Sequence, residues 1–194
     1  MLFRSCFSPK GDIMAAAFEN GMIQAWDVKA GMSCLPIKAH EDEVQSVAFS
    51  HSGSYLASAS DDETVSIWNV RDGSCSLKLS GHAKLARVVL FSADDISIYS
   101  ASEDGVIRIW SAETGEVRQE LGIDDEFTGL QSMTCFADPD CLLLASGYDD
   151  GWICIWNIKD GKAKVSILAH ATCITAVIFA LDGEVLASAG ICVG

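Results

Sequence analysis

His40, Ser58 and Asp62 are the three side-chain types of a nucleophilic hydrolase: a hydroxyl to attack, an imidazole to take its proton and a carboxylate to orient the ring. The same three types return as His82, Ser100 and Asp104, at the same spacing of 18 and then four residues. A catalytic set is needed once per active site, with an exposed nucleophile and an oxyanion hole. Here it occurs twice in register, and a tryptophan follows the Asp by six residues in each copy, as Trp68 and Trp110. Repetition of that kind argues for architecture before chemistry. The chain carries no Gly-rich phosphate loop, no HExxH and no EF-hand loop, so neither a cofactor nor a metal is expected.

The tryptophans set the frame. Trp26, Trp68, Trp110 and Trp156 are separated by 42, 42 and 46 residues, each inside a related phrase (GMIQAWDV, ETVSIWNV, GVIRIWSA, GWICIWNI). A period of roughly 40 to 45 residues marks a propeller or solenoid built from one supersecondary unit. Between tryptophans the apolar residues alternate with a period of two, and Gly or Asp-Gly turns interrupt every eight to twelve residues. In the second unit this predicts strands beginning at Val44, Ser54, Thr64 and Ser74, and in the third at Ala86, Ile96, Val106 and Glu116. Runs such as VVLF and WICIW are apolar on both faces and need cover on both, which sheets stacked around an axis provide.

Composition narrows the function. With 49% hydrophobic and 21% charged residues over 194 positions, the chain has an ordinary globular balance. Its apolar runs are too short to cross a bilayer as helices, and its opening, MLFRSCFSPKGD, lacks the apolar stretch of a secretory signal. The eight cysteines are scattered, form no CxxC, and read as buried free thiols of a reducing compartment, cytosol or nucleus. Net charge is −14, the reverse of a nucleic-acid or anionic-membrane surface, and a basic partner is the electrostatically sensible one.

On these residues the chain resembles the WD-repeat β-propeller family. The resemblance rests on Ala39-His40, Ser58, Asp62 and Trp68 in one unit and Gly81-His82, Ser100, Asp104 and Trp110 in the next. It implies an all-β propeller, here about 4.5 four-stranded blades, at 1–37, 38–79, 80–121, 122–168 and 169–194. It also implies that each set hydrogen-bonds in series, from indole to hydroxyl to imidazole to carboxylate, as a structural tetrad. The other units keep only parts of it: Trp26 with Ala16 and Asn20, then Ser146, Asp150 and Trp156 without a histidine, then His170 and Ser188 with Cys192 at the Asp position. Closed propellers of the family most often have seven blades, so an open fragment is expected, with the remaining blades on further chain. A short propeller or closure by two chains is the alternative.

Propellers of this kind act as platforms for protein partners, and the resemblance implies a non-enzymatic interaction scaffold. A regulatory propeller attached to a nucleotide-switch ATPase and a propeller hydrolase are the rival readings. Partners dock on the face formed by the loop leading into each first strand and the turn between the second and third strands. There Glu19, Asp61, Glu103 and Asp149 each precede the turn's Asp position. Glu41, Asp42 and Glu43 lie in one lead-in loop, and Asp124, Asp125 and Glu126 in another. Such a rim would attract Lys/Arg-rich segments. Acidic turns also serve solubility and turn geometry, and the sequence leaves both readings open.

Overall fold

Short two-sided apolar runs punctuated by Asp, Gly and Ser leave the backbone one economical solution, the antiparallel ladder joined by tight turns. The computed structural model describes residues 2–122, 129–137, 142–180 and 183–191. All regular structure among them is strand. The first sheet contains β1 (Leu2–Phe7), β2 (Ile13–Phe18), β3 (Met22–Asp27) and β4 (Met32–Lys38), and the second β5 (Val44–Phe49), β6 (Tyr55–Ser60), β7 (Thr64–Asn69) and β8 (Cys75–Ser80). The third contains β9 (Ala86–Phe91), β10 (Ser97–Ser102), β11 (Ile107–Ser111) and β12 (Val117–Leu121). The fourth contains β13 (Leu130–Ala137), β14 (Leu142–Tyr148), β15 (Trp152–Asn157) and β16 (Lys162–Leu168), and β17 (Ile174–Phe179) pairs with β18 (Leu186–Gly190) in a fifth. Every four-stranded sheet is an antiparallel meander, the all-β architecture expected from the repeat.

Two local features recur. The turn between the third and fourth strands closes on a glycine, where the N–H groups of Gly31, Gly73, Gly115 and Gly161 reach the carbonyls of Asp27, Asn69, Ser111 and Asn157 at 2.8–2.9 Å. These glycines hold φ between 64° and 75°, a left-handed conformation that a side chain would oppose. The ladder from third to fourth strand then slips by one residue at each tryptophan: Ala25/Trp26, Ile67/Trp68, Ile109/Trp110 and Ile155/Trp156. Such a bulge bends the strand and re-aims the side chain at its centre.

The first strands β1, β5, β9, β13 and β17 pack against one another in succession, so the sheets fan from a common centre. Arg4 of β1 shows the curvature, since its Nη2 donates to the Gln131 carbonyl of β13 at 3.4 Å, three sheets away. Apolar cores fill the gaps between neighbours. Ile23, Ile37, Val44 and Trp68 lie between sheets one and two, Ile67, Leu79, Val89 and Trp110 between two and three, and Ile107, Leu121, Leu144 and Trp156 between three and four. Small residues line the second strands because the sheets approach closely there. A Cβ on Gly147 would stand 2.5 Å from Ile174 Cγ2.

Not every cysteine is a buried one. Cys154 is buried, but Cys34 and Cys75 are exposed on the fourth strands, the least covered of each sheet, while Cys6, Cys135 and Cys173 are half-buried. Alternation along an edge strand sends one face to water, which the expectation of uniformly buried thiols overlooked. Cys141 and Cys192 lie outside the described residues.

Asp95 ties two sheets together at the turns between first and second strands. It holds φ 59°, where the corresponding turns use Gly11, Gly53 and Gly183. In return its carboxylate accepts the N–H groups of His51 and Ser52 in the preceding sheet, at 2.7 and 2.8 Å. Burial would raise its pKa, but those bonds outweigh it and hold the carboxyl below its usual range. Replacing Asp95 by Gly removes the backbone strain together with both charge-assisted bonds, and the net loss should be about 1–3 kcal/mol in urea unfolding. Asp95→Asn should retain part of it. An Asp95→Gly protein at least as stable as the parent would show that the clasp contributes nothing.

Candidate functional site

In the second sheet the indole of Trp68 donates from Nε1 to Ser58 Oγ at 2.8 Å. Ser58 Oγ lies 2.7 Å from His40 Nε2, and His40 Nδ1 lies 2.9 Å from Asp62 Oδ2. The carboxylate at Nδ1 fixes the proton there, so Nε2 accepts from the hydroxyl and the relay runs in one direction. Thr64 adds a bond from Oγ1 to Asp62 Oδ1 at 2.6 Å, and the Glu41 N–H reaches the same carboxylate at 3.3 Å. The third sheet brings the same four residue types together: Trp110 Nε1 donates to Ser100 Oγ at 2.7 Å, Ser100 Oγ lies 2.7 Å from His82 Nε2, and His82 Nδ1 lies 3.3 Å from Asp104 Oδ2. Here Arg108 Nη1 is wedged 2.6 Å from His82 Nδ1 and 2.8 Å from Asp104 Oδ2, while its Nε pairs with Glu120 across the ladder at 2.8 Å.

The sets are sealed. Ser58, Ser100 and Ser146 have 0% exposure, so a substrate has no path to their hydroxyls. The imidazoles of His40 and His82 are buried beneath the lead-in loops, edge-on to Trp68 and Trp110 at centroid distances of 6.3 and 6.0 Å. A nucleophile whose acceptor site is occupied by an indole N–H and whose surface is zero does structural work.

In the fourth sheet Trp156 Nε1 donates to Ser146 Oγ at 2.8 Å, and the hydroxyl passes its own proton to Tyr148 Oη at 3.2 Å. Tyr148, buried to 1% exposure, thus stands where the other sheets use histidine. Burial pushes its phenol well above the usual range, which keeps it a neutral partner. Asp150 stays outside this relay and accepts the Trp152 N–H at 3.2 Å. Sequence reasoning missed both Tyr148 and Arg108. The signals were a tyrosine two residues after the serine, where Ser60 and Ser102 stand elsewhere, and a charge inside the apolar phrase VIRIW. In the first sheet Ala16 offers no hydroxyl, and Trp26 packs tilted against Phe18 at 6.4 Å. In the fifth, His170 Nε2 meets Ser188 Oγ at 2.9 Å on an exposed sheet.

The predicted rim residues among those described share one end of the strands. The N–H groups of Asp61, Glu103 and Asp149 bond the lead-in carbonyls of Glu43, Leu85 and Gly129 at 2.9, 3.0 and 3.1 Å, joining turn to loop. These carboxylates are not all unopposed. Arg87 Nε donates to Glu103 Oε1 at 2.8 Å, its Nη1 lies 3.7 Å from Asp61 Oδ1, and Gln45 donates to Asp61 Oδ2 at 3.0 Å and Glu43 Oε2 at 3.3 Å. Asp61 Oδ1 is buried without a hydrogen-bond donor, since 3.7 Å is a charge contact and no more. Burial raises the Asp61 carboxyl above its usual range, against the opposing pull of Gln45 and Arg87. Asp124, Asp125 and Glu126 lie outside the described residues. Among the described residues no three His, Cys, Asp or Glu side chains gather as a metal site, and no helix is long and apolar enough to cross a membrane.

Four-stranded meanders fanning from a centre, three of them pinned through an indole to a buried hydroxyl, define a WD-repeat β-propeller. Residues 2–191 match the IFT122 first beta-propeller family, and the chain belongs to it. A comparison with curated proteins gives no match.

Ser100→Ala should strand the Trp110 N–H and one His82 nitrogen, costing about 2–5 kcal/mol in urea unfolding, with no turnover lost. A hydrolytic activity abolished by Ser58→Ala in a folded protein would overturn the structural reading. Acid should act in two windows. Burial, outweighing Asp62, holds the His40 pKa below its usual value, so its contribution is present above about pH 6.5 and erodes as the unfolded state binds a proton below that. Burial would raise Asp62 and Asp104, but hydrogen bonds led by Thr64 and His82 respectively outweigh it and depress both. Their contribution is present above about pH 3.9 and lost as pH falls further. Denaturation midpoints measured from pH 7.5 downward should show both declines, and His40→Gln should remove the first and diminish the second, since His40 is one of the groups that depress Asp62. A flat profile would contradict the assignment.

Proposed function

We propose that the protein is a non-enzymatic interaction scaffold whose carboxylate rim receives a Lys/Arg-rich segment of a protein partner, in a reducing compartment such as cytoplasm or nucleus. The scaffold reading draws support from membership of a propeller family and from serines committed to indole bonds inside the stack. The basic partner is favoured by one observation above the rest: Asp61, Asp42 and Glu103 stand close enough to repel one another, with Arg87 and Gln45 opposing them. A partner guanidinium or ammonium set over the exposed side of these carboxylates would relieve that repulsion. Glu19, Glu41, Asp42, Glu43 and Asp149 would extend the field around it, and Asp124, Asp125 and Glu126 join the rim on sequence alone. Arg87, held by Glu103, makes the rim selective, since a weakly charged segment gains too little to compete with it.

The test is titration of an arginine-rich peptide followed by calorimetry. Binding should weaken steeply as salt rises from roughly 0.05 to 0.3 M and should fall about tenfold or more on combined Asp61→Lys, Glu103→Lys and Asp149→Lys substitution. Indifference to both treatments would leave the acidic turns with a role in solubility alone.

A further inference from the structure

The gaps between neighbouring sheets do not fill alike at the end opposite the rim. Val28, Val70, Ala112 and Ile158 occupy one structural position, their N–H groups bonding the carbonyls of Asp12, Ser54, Ile96 and Leu142 at 2.9, 3.0, 3.0 and 3.1 Å. Val70 packs into the core between sheets one and two, and Ile158 into the core between three and four. The residue turned toward the core between sheets two and three is the small Ala112. A groove of about 440 Å³ opens at that place, floored by Ile67, Leu77 and Phe91. Its rim carries Tyr55 and Ile96, 41% and 55% exposed, two of the large apolar side chains that the fold leaves in water.

One wall is charged. Arg118 of β12 crosses the base of its own sheet and bonds neutral oxygens, the Ile96 carbonyl at 3.4 Å and the hydroxyls of Ser97 and Ser111 at 3.2 Å each. Its positive charge therefore faces the groove without a carboxylate bonded to it. Asp95, also in the wall, already accepts two backbone N–H groups from the neighbouring sheet. Glu113 stands exposed at the opening, where an arriving anion has to pass it.

We propose that this groove docks a linear segment of a partner protein, which inserts one large apolar side chain beside Ala112 and sets a carboxylate against Arg118. Apolar walls and a guanidinium that no carboxylate hydrogen-bonds, with Asp94 near enough only to feel its charge, are the features of a site that binds by an anchor and orients by a charge. The specificity is opposite in sign to that proposed for the carboxylate rim, and the two sites lie at opposite ends of the strands, so each stands or falls alone.

A phage-displayed library of randomised peptides panned against the whole chain tests it. The selected peptides should pair Leu, Ile, Met or Phe with a nearby Asp or Glu. Ala112→Ile installs the side chain that the fold already accommodates at position 158, and it should weaken those peptides about tenfold or more while leaving the unfolding midpoint intact. Arg118→Gln should weaken them similarly, whereas Glu113→Gln should tighten them. Peptides that lack an acid, that bind the Ala112→Ile protein equally well, or that respond only to the Asp61→Lys rim variant would overturn the proposal, as would a library that yields none. Concentration-dependent self-association abolished by Ala112→Ile would give the groove to a second copy of the chain and overturn it as well.

Discussion

The bond from an indole N–H to a serine hydroxyl deep between two sheets is the interaction on which this structure depends. Stacked sheets need their second strands dry on both faces, yet a hydroxyl placed there requires partners. The tryptophan supplies a donor and the flat area that fills the gap to the neighbouring sheet, and its register slip aims it there. Imidazole and carboxylate carry the same chain of bonds outward to the loops, so a contact in the core fixes the shape of the surface. Ser58, Ser100 and Ser146 thus join packing, polar satisfaction and loop geometry in a single residue type.

Much of this was legible in the residues because the rule repeats. Spacing alone brought out His40, Ser58, Asp62 and Trp68 with their counterparts, and a period of two between turns brought out the strands to within a residue or so. What stayed hidden was whatever breaks the repeat or crosses it. Tyr148 answers for a missing histidine from the same strand as its serine, so no constant offset announces it. Arg108 joins the second relay from a position where other units carry Gln24, Ser66 and Cys154. Arg87 tempers the acidic rim across a sheet boundary, bonded to Glu103 of its own sheet and set 3.7 Å from Asp61 of the preceding one. The groove beside Ala112 is visible only when four equivalent backbone positions are compared in space.

These departures are also where function concentrates. A repeat satisfied in every unit offers a partner no distinguishing feature, whereas carboxylates that repel one another and a shortened side chain in one interface mark particular places on an otherwise periodic surface. The family supplies the platform, and the irregularities individualise it.

The gradient of cover across each sheet has a mechanical meaning. Second strands such as β6 and β10 are buried almost throughout, while β16 is exposed along its whole length and β4, β8 and β12 over most of theirs. Backbone opening therefore begins at the circumference and travels toward the hub, peeling one strand at a time rather than splitting the fan between sheets. A partner that clasps the outer edge would hold shut the strands that open first, whereas one seated over the hub would leave that fraying in place and act only against loss of the whole fan.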